Sequence, residues 1–370
     1  MLIVTFLILL TFCLFFAKNK NRNKWFSLSV GVVVTIVALL PFRTYKVSIL
    51  EPSIQQNLSD QSILQTKEIS IPGYPGAYNP SLIPCEDGYL LSFRVKKYDV
   101  ASWLKKIKNV RTSYLGLVKL DRHFQICEKP YLLDIYSYAS DQISHSAQDA
   151  RLFQMDGKTL LIFNDYGDSF HRHNYKLYCV ELIQQSGKWK PQGAALPLNY
   201  EKQITIEKNW TPFESKGSLH LIYSTTPHLI LKVNLETGVC TEVAKTDPPF
   251  NWDYGIIRGG TPAYPIDGGL LTLFHSSIEV PADSLLGTTR GRNYVMSGYL
   301  FENKPPFKLK KWIPHPIGTL DDYARNRRKV IFPGGLVITH DQIIIAWGKN
   351  DNAICLTVCD KQKLMQELVS

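Results

Sequence analysis

Two kinds of hydrophobic pattern divide the chain. Two uncharged apolar runs come first, residues 2–17 (LIVTFLILLTFCLFFA) and 25–42 (WFSLSVGVVVTIVALLPF), with the basic stretch KNKNRNK between them at 18–24. Each run lies near the lower limit for a helix that crosses a hydrocarbon core, about 17–25 residues. The pattern predicts a two-helix transmembrane hairpin within residues 1–46. A cleaved leader would start with a positive residue and would have no second apolar run directly behind it. The basic turn predicts a cytoplasmic loop, which would put the rest of this multi-pass membrane protein on the non-cytoplasmic side. Residues 47–70 are polar and read as a tether.

The remainder shows a different rhythm. Short runs rich in Tyr, Phe, Ile and Val are broken by Gly, Pro, Asn and Asp, and no long amphipathic helix intervenes before the carboxyl end. That is the pattern of many short strands. One unit recurs five times: EDGYLLSF at 86–93, MDGKTLLIF at 155–163, SKGSLHLIY at 215–223, IDGGLLTLF at 266–274 and THDQIIIAW at 339–347. The central turn residues are Gly88, Gly157, Gly217, Gly268 and Asp341, and a further short strand precedes each turn. A hairpin repeated at intervals of 51–73 residues predicts an all-β domain over residues 71–370, a five-bladed β-propeller whose closure protects its sheet edges.

A propeller brings the start of each inner strand and the end of each second strand to one mouth. The first set collects Asn79, Asp149, Arg151, Lys208, Asn209, Trp210, Arg258 and Thr261; the second collects Arg94, Asn164, Asp165, His275, Lys349 and Asp351. A ring of cations with carboxylates among them is a candidate site. Arg151 and Lys208 suit an oxyanion, and Trp210 offers a flat face to a sugar ring.

Composition sharpens this in three ways. Hydrophobic residues make up 45% and charged residues 20%, which excludes general disorder. The net charge is +10, but residues 1–50 hold six of the 42 basic residues and none of the 32 acidic ones. The remaining bias is too weak to call for a nucleic-acid partner. Seven cysteines thinly spread over 370 residues make no disulfide framework, and Cys355 with Cys359 lacks two further ligands for zinc. Neither a metal nor an organic cofactor is expected. His171 and His173, flanking Arg172, and the basic run Arg325, Arg327, Arg328 and Lys329 read as solvated loops.

The mouth motifs resemble the inverting mannoside phosphorylases and the related β-mannosyltransferases. The pieces are AYNPSLI at 77–83, Asp149-Ala150-Arg151, EKNWTPFE at 207–214, RGGTPAYPIDGGLLTLFHS at 258–276, YVMSGYLFENKPPF at 294–307, and VIFPGGLVI with WGKND between 330 and 351. The resemblance implies a glycosidase-type propeller that holds a mannose-containing glycan at its mouth. It implies Asp121 as the acid that protonates the leaving sugar, although Arg122 follows where the phosphorylases have Gly. It implies Arg151, Lys208 and His275 around phosphate, with Tyr294 as a hydroxyl partner. The family's Glu-Asp-Pro-Arg motif is here Gln148-Asp149-Ala150-Arg151, so one carboxylate is lost.

Glycosyl transfer passes through an oxocarbenium-like state that carboxylates stabilise or feed with protons. The expected function is mannosyl transfer or phosphorolysis by a membrane-anchored enzyme, with phosphate, a sugar phosphate or a nucleotide sugar as the second substrate and a lipid bilayer as the anchor's partner. The alternative is a glycan-binding propeller without catalysis.

Overall fold

In a computed structural model, the structure describes residues 60–96, 113–135, 146–166, 175–280, 291–317 and 330–370. Strand β1 (Ile63–Ile69) comes first, followed by β2 (Tyr78–Cys85), β3 (Gly88–Lys96), β4 (Ser113–Asp121) and β5 (Tyr131–Leu132). The second unit holds β6 (Gln148–Met155), β7 (Lys158–Tyr166), β8 (Tyr175–Gln185), β9 (Lys188–Pro191) and β10 (Leu196–Tyr200). The third holds β11 (Thr211–Ser215), β12 (Ser218–Thr225), β13 (His228–Val233) and β14 (Val239–Thr246). The fourth holds β15 (Ile256–Gly259), β16 (Tyr264–Ile266), β17 (Gly269–Val280), β18 (Gly291–Phe301) and β19 (Leu309–Trp312). The last holds β20 (Ile331–Ile338), β21 (Gln342–Lys349) and β22 (Ala353–Asp360), with helix α1 (Lys361–Gln366) behind it.

The turn chemistry explains the hairpins. Asp156-Gly157 and Lys216-Gly217 both have two consecutive residues at positive φ. That backbone matches the twist of a two-residue hairpin, and Gly takes it without a Cβ penalty. The strands behind these turns are apolar on both faces because each sheet packs against two neighbours. Ile344, Val358 and Leu356 pack with Leu82 and Leu91 between the last and first units. Further apolar layers fill the spaces between the first and second, second and third, and third and fourth units. The inner strands close a ring: β2 packs against β20 and β6, β6 against β11, β12 against β15, and β17 against β20. The arrangement is propeller-like.

Two parts of the expected fold are corrected. The sheets number four among the described residues, because the second and third hairpin units fuse into one nine-stranded sheet. Strand β10 pairs antiparallel with β8 through Leu196–Leu198 and then parallel with β14 through Asn199 and Tyr200, so a short linking strand with two usable edges joins the units. The membrane hairpin is the second correction. No helix among the described residues is long and apolar enough to cross a membrane, and α1 has six residues. The runs at 2–17 and 25–42 lie outside the described residues, so the multi-pass placement is not carried forward. Part of the expected tether is strand: β1 pairs antiparallel with β22 and completes the sheet formed by β20, β21 and β22. An edge that would be open is thereby covered. The loops holding His171, Arg172 and His173, and Arg325 to Lys329, also lie outside the described residues.

Candidate active site

The mouth is shaped by one backbone device used repeatedly. Asn79, Asp149 and Asn209 sit at the same place in their units, and all three have positive φ, at 48°, 52° and 64°. At the first two, the ladder with the second strand is interrupted, between Tyr78 and Ser81 and between Gln148 and Arg151. A bulge of this kind re-aims side chains at the end of a strand. The last unit also has an irregular ladder, between Pro333 and Gly335, and a Cβ on Gly334 would lie 2.2 Å from the Pro80 carbonyl oxygen, so only Gly lets β20 approach β2 so closely.

The bulges bring Asp149 into a nest of donors. Its Oδ1 accepts from Asn79 Nδ2 at 2.8 Å and from Arg94 Nη1 at 2.9 Å. Arg94 is braced in turn by Nε donating to Ser113 Oγ at 2.7 Å. Burial acts to raise the Asp149 pKa, but Arg94, Lys208, the Asn79 bond and Arg151 together pull it down to about 2. Asp149 is therefore an ionised acceptor at neutral pH and not a proton donor.

Arg151 lies 2% exposed. Its Nε donates to the Gly260 carbonyl at 2.7 Å, and its Nη1 donates to the carbonyl of Asp149. The guanidinium stacks 4.7 Å from the Phe332 ring centroid, and Nη2 is buried with no partner among the described residues. His275 packs against the same Phe332, with centroids 5.0 Å apart, and its other side stacks on Tyr294 at 5.9 Å. Burial, then Arg151 and Arg258, push the His275 pKa down to about 3, so the ring is neutral at pH 7. The Gly259 backbone acts in the opposite direction, and Nδ1 is buried with no partner among the described residues. His275 thus stands beside Arg151 as a neutral imidazole.

Lys208 places Nζ 3.6 Å from the Tyr175 ring centroid. Burial lowers its pKa, with Asp149 opposing that shift. Arg258 Nη1 donates to Ser277 Oγ at 3.1 Å and faces His275 electrostatically. Asp351 lies within the field of Arg94. The structure thus gathers Asn79, Arg94, Asp149, Arg151, Lys208, Arg258, His275, Tyr294 and Asp351, with Asn209 forming the bend beside Lys208.

Two expected residues do not join them. Asp121 stands opposite Gly88 at the turn end of β3, whereas Arg94 stands opposite Tyr78 at the mouth end. Six residues of strand separate Gly88 from Arg94, roughly 20 Å at the usual rise. The Asp121 Oδ1 accepts from His123 N and Gln125 N, both at 2.8 Å, and caps an exposed turn. Those backbone bonds, with Gln125 the larger cause, lower its pKa. The assignment of Asp121 as the acid at the mouth is corrected: it is a turn-capping carboxylate. Trp210 is 2% exposed in the apolar layer between the second and third units, and its Nε1 donates to Glu207 Oε2 at 3.0 Å. It packs in the core and offers no face to a sugar. Residues that the sequence reading missed include Phe332, under Arg151 and His275, and Tyr175, under Lys208. Phe332 was reachable by alignment of the repeats, since it holds the place of Lys208 and Arg258 in the last unit.

An ionised carboxylate beside a buried Arg151 and the partly buried Arg94 and Lys208 thus stands at the centre of a ring of hairpins. The chain belongs to glycoside hydrolase family 130, described as β-1,4-mannooligosaccharide phosphorylase, whose profile matches residues 58–369. It is an enzyme of the class of mannoside phosphorylases and hydrolases. Among solved structures, it is similar to a β-1,2-mannobiose phosphorylase from Listeria innocua (TM-score 0.54, 16% identity, 82% of this chain and 92% of that one). It is also similar to MPT-4, a mannose phosphorylase from Leishmania mexicana solved with a phosphate ion (TM-score 0.54, 12% identity, 86% and 95%). A stretch of 91 residues is 29% identical to β-mannosyltransferase 7 of Candida albicans, spanning 22% of this chain and 14% of that relative.

Proposed function

We propose that the protein cleaves a mannoside by phosphorolysis at this mouth. In that reaction the glycosidic C–O bond breaks, a phosphate oxygen bonds the anomeric carbon, and a proton passes to the leaving oxygen. The carrying observation is the pair Arg151 and His275: two buried polar groups on one aromatic floor, each with a nitrogen that has no partner among the described residues. A guanidinium N–H suits a phosphate oxygen. The neutral His275 Nδ1 accepts, and so suits a phosphate or sugar hydroxyl. Ionised Asp149 takes a hydroxyl of the mannosyl ring and balances the positive charge that develops there. The phosphate complex of the Leishmania protein supports the same anion here.

The likeness to a Candida β-mannosyltransferase favours a second reading, transfer of mannose from an activated donor to a glycan. Incubation with β-1,2- and β-1,4-mannobiose, with and without inorganic phosphate, and separately with GDP-mannose, followed by mass analysis, tests both. Phosphate-dependent mannose-1-phosphate is the expected product. Free mannose formed equally without phosphate, or elongation from GDP-mannose alone, would overturn phosphorolysis.

A further inference from the structure

We propose that Glu207 is a positioning residue that sets Lys208 at the mouth, an inference that rests on the phosphate reading above. Glu207 lies in the connection between β10 and β11 and is 3% exposed. Its carboxylate collects three donors. Trp210 Nε1 reaches Oε2 at 3.0 Å, Tyr223 OH reaches Oε1 at 3.1 Å, and the Ile204 N–H also bonds Oε1. The main chain is tied as well: Glu207 N donates to the Tyr175 carbonyl at 3.0 Å, and Tyr175 N donates to Thr205 O at 2.9 Å. Tyr175 is the residue whose ring lies under Lys208 Nζ.

The clamp therefore brackets the bend from both sides. The Glu207–Trp210 bond spans Lys208 and Asn209, and Asn209 holds the left-handed conformation between them. A left-handed non-Gly residue persists where its surroundings enforce it. Removing the carboxylate leaves the buried Trp210 Nε1 and two part-buried donors without their acceptor, a costly arrangement that the segment relieves by moving. A glutamine in its place is only a partial substitute, because one of its two terminal groups is itself a donor and meets a donor.

The test uses the full chain in the wild-type, Glu207→Ala, Glu207→Gln and Tyr223→Phe forms. Three quantities are read: the rate of Lys208 reductive methylation by mass spectrometry, KM for inorganic phosphate, and KM for mannobiose. For Glu207→Ala the methylation rate should rise several-fold and the phosphate KM should rise about tenfold, the loss of one well-placed hydrogen bond to a charged group. The mannobiose KM should stay within about twofold, with Glu207→Gln intermediate. Tyr223→Phe keeps the carboxylate and removes one donor, so it carries the test if Glu207→Ala does not fold; it should show the same pattern at smaller size. Unchanged Lys208 reactivity in the folded variants, or equal rises in both KM values, would overturn the proposal. Altered Lys208 reactivity in a protein that does not use phosphate would uphold the positioning role and overturn the phosphate reading instead.

Discussion

Asp149 and Asp121 are the same side chain at opposite ends of the sheets, and each has basic neighbours in sequence. Asp149 stands at the mouth with 10% of its side chain exposed and its oxygen shared between Asn79 and Arg94. Asp121 stands at the turn end, exposed, with its oxygen on two backbone N–H groups. Both pKa values are lowered, for different reasons: ion pairing offsets desolvation at Asp149, while turn hydrogen bonds act at Asp121. A lowered carboxylate pKa therefore does not mark a functional site. What separates the two is the end of the sheet at which the group stands and whether its partners are charged side chains or backbone N–H groups.

The sharpest way to break this contrast is Asp149→Asn. It leaves Arg94 buried beside a neutral amide, so about 3 kcal/mol of stability should be lost. Activity on mannobiose, read as kcat/KM, should fall about a hundredfold as a preorganised charge disappears. Denaturant unfolding and initial rates measure both, and wild-type values in either would end the claim that Asp149 organises the mouth.

Acid titration of stability sharpens the contrast further. The buried rings of His275 and His228 are pushed down to about 3 and about 4, while an unfolded histidine titrates near 6.5. Between those values the unfolded chain binds more protons. Stability should therefore fall as pH drops below about 6.5, by up to about 1.4 kcal/mol per pH unit for each ring. Asp149 stabilises the fold above the unfolded carboxylate pKa, and its contribution is lost only as pH falls from about 4 through about 2. Its loss thus follows that of the histidines. His275→Gln should flatten the slope of Tm against pH between 6.5 and 4; an unchanged slope would exclude His275 as a source. The smallest effect is expected for Asp121→Asn, which should leave kcat/KM within about twofold, with a slight drop in Tm. A large loss of activity would return Asp121 to the chemistry and undo the comparison.

Much of the candidate site's geometry was legible in the sequence. A Gly-containing turn marks one end of a hairpin, so residues at the far ends of its two strands share the other end. That rule alone collects Asn79, Arg94, Asp149, Arg151, Lys208 and His275. Asp121 was readable by the same rule extended one strand: β2 runs to the turn, β3 returns to the mouth, and β4 runs back to the turn end, carrying Asp121 with it. Trp210 was not readable this way. The left-handed bend at Asn209 interrupts the strict alternation of strand faces, so period-two reasoning cannot say which side Trp210 takes.

The sequence by itself determined the five hairpins, their turn residues and the cationic character of the mouth, because these depend on local backbone preference and on side chains close in the chain. The tertiary structure decided what depends on contacts between distant segments. It seated Trp210 in the core on Glu207, put Phe332 beneath Arg151 across some 180 residues of chain, closed the last sheet with β1, and fused two units through β10. It also decided the charge states, since burial beside Arg151 and Arg258 makes His275 neutral against the opposing pull of Asp149, and only packing brings those groups within electrostatic reach of one another.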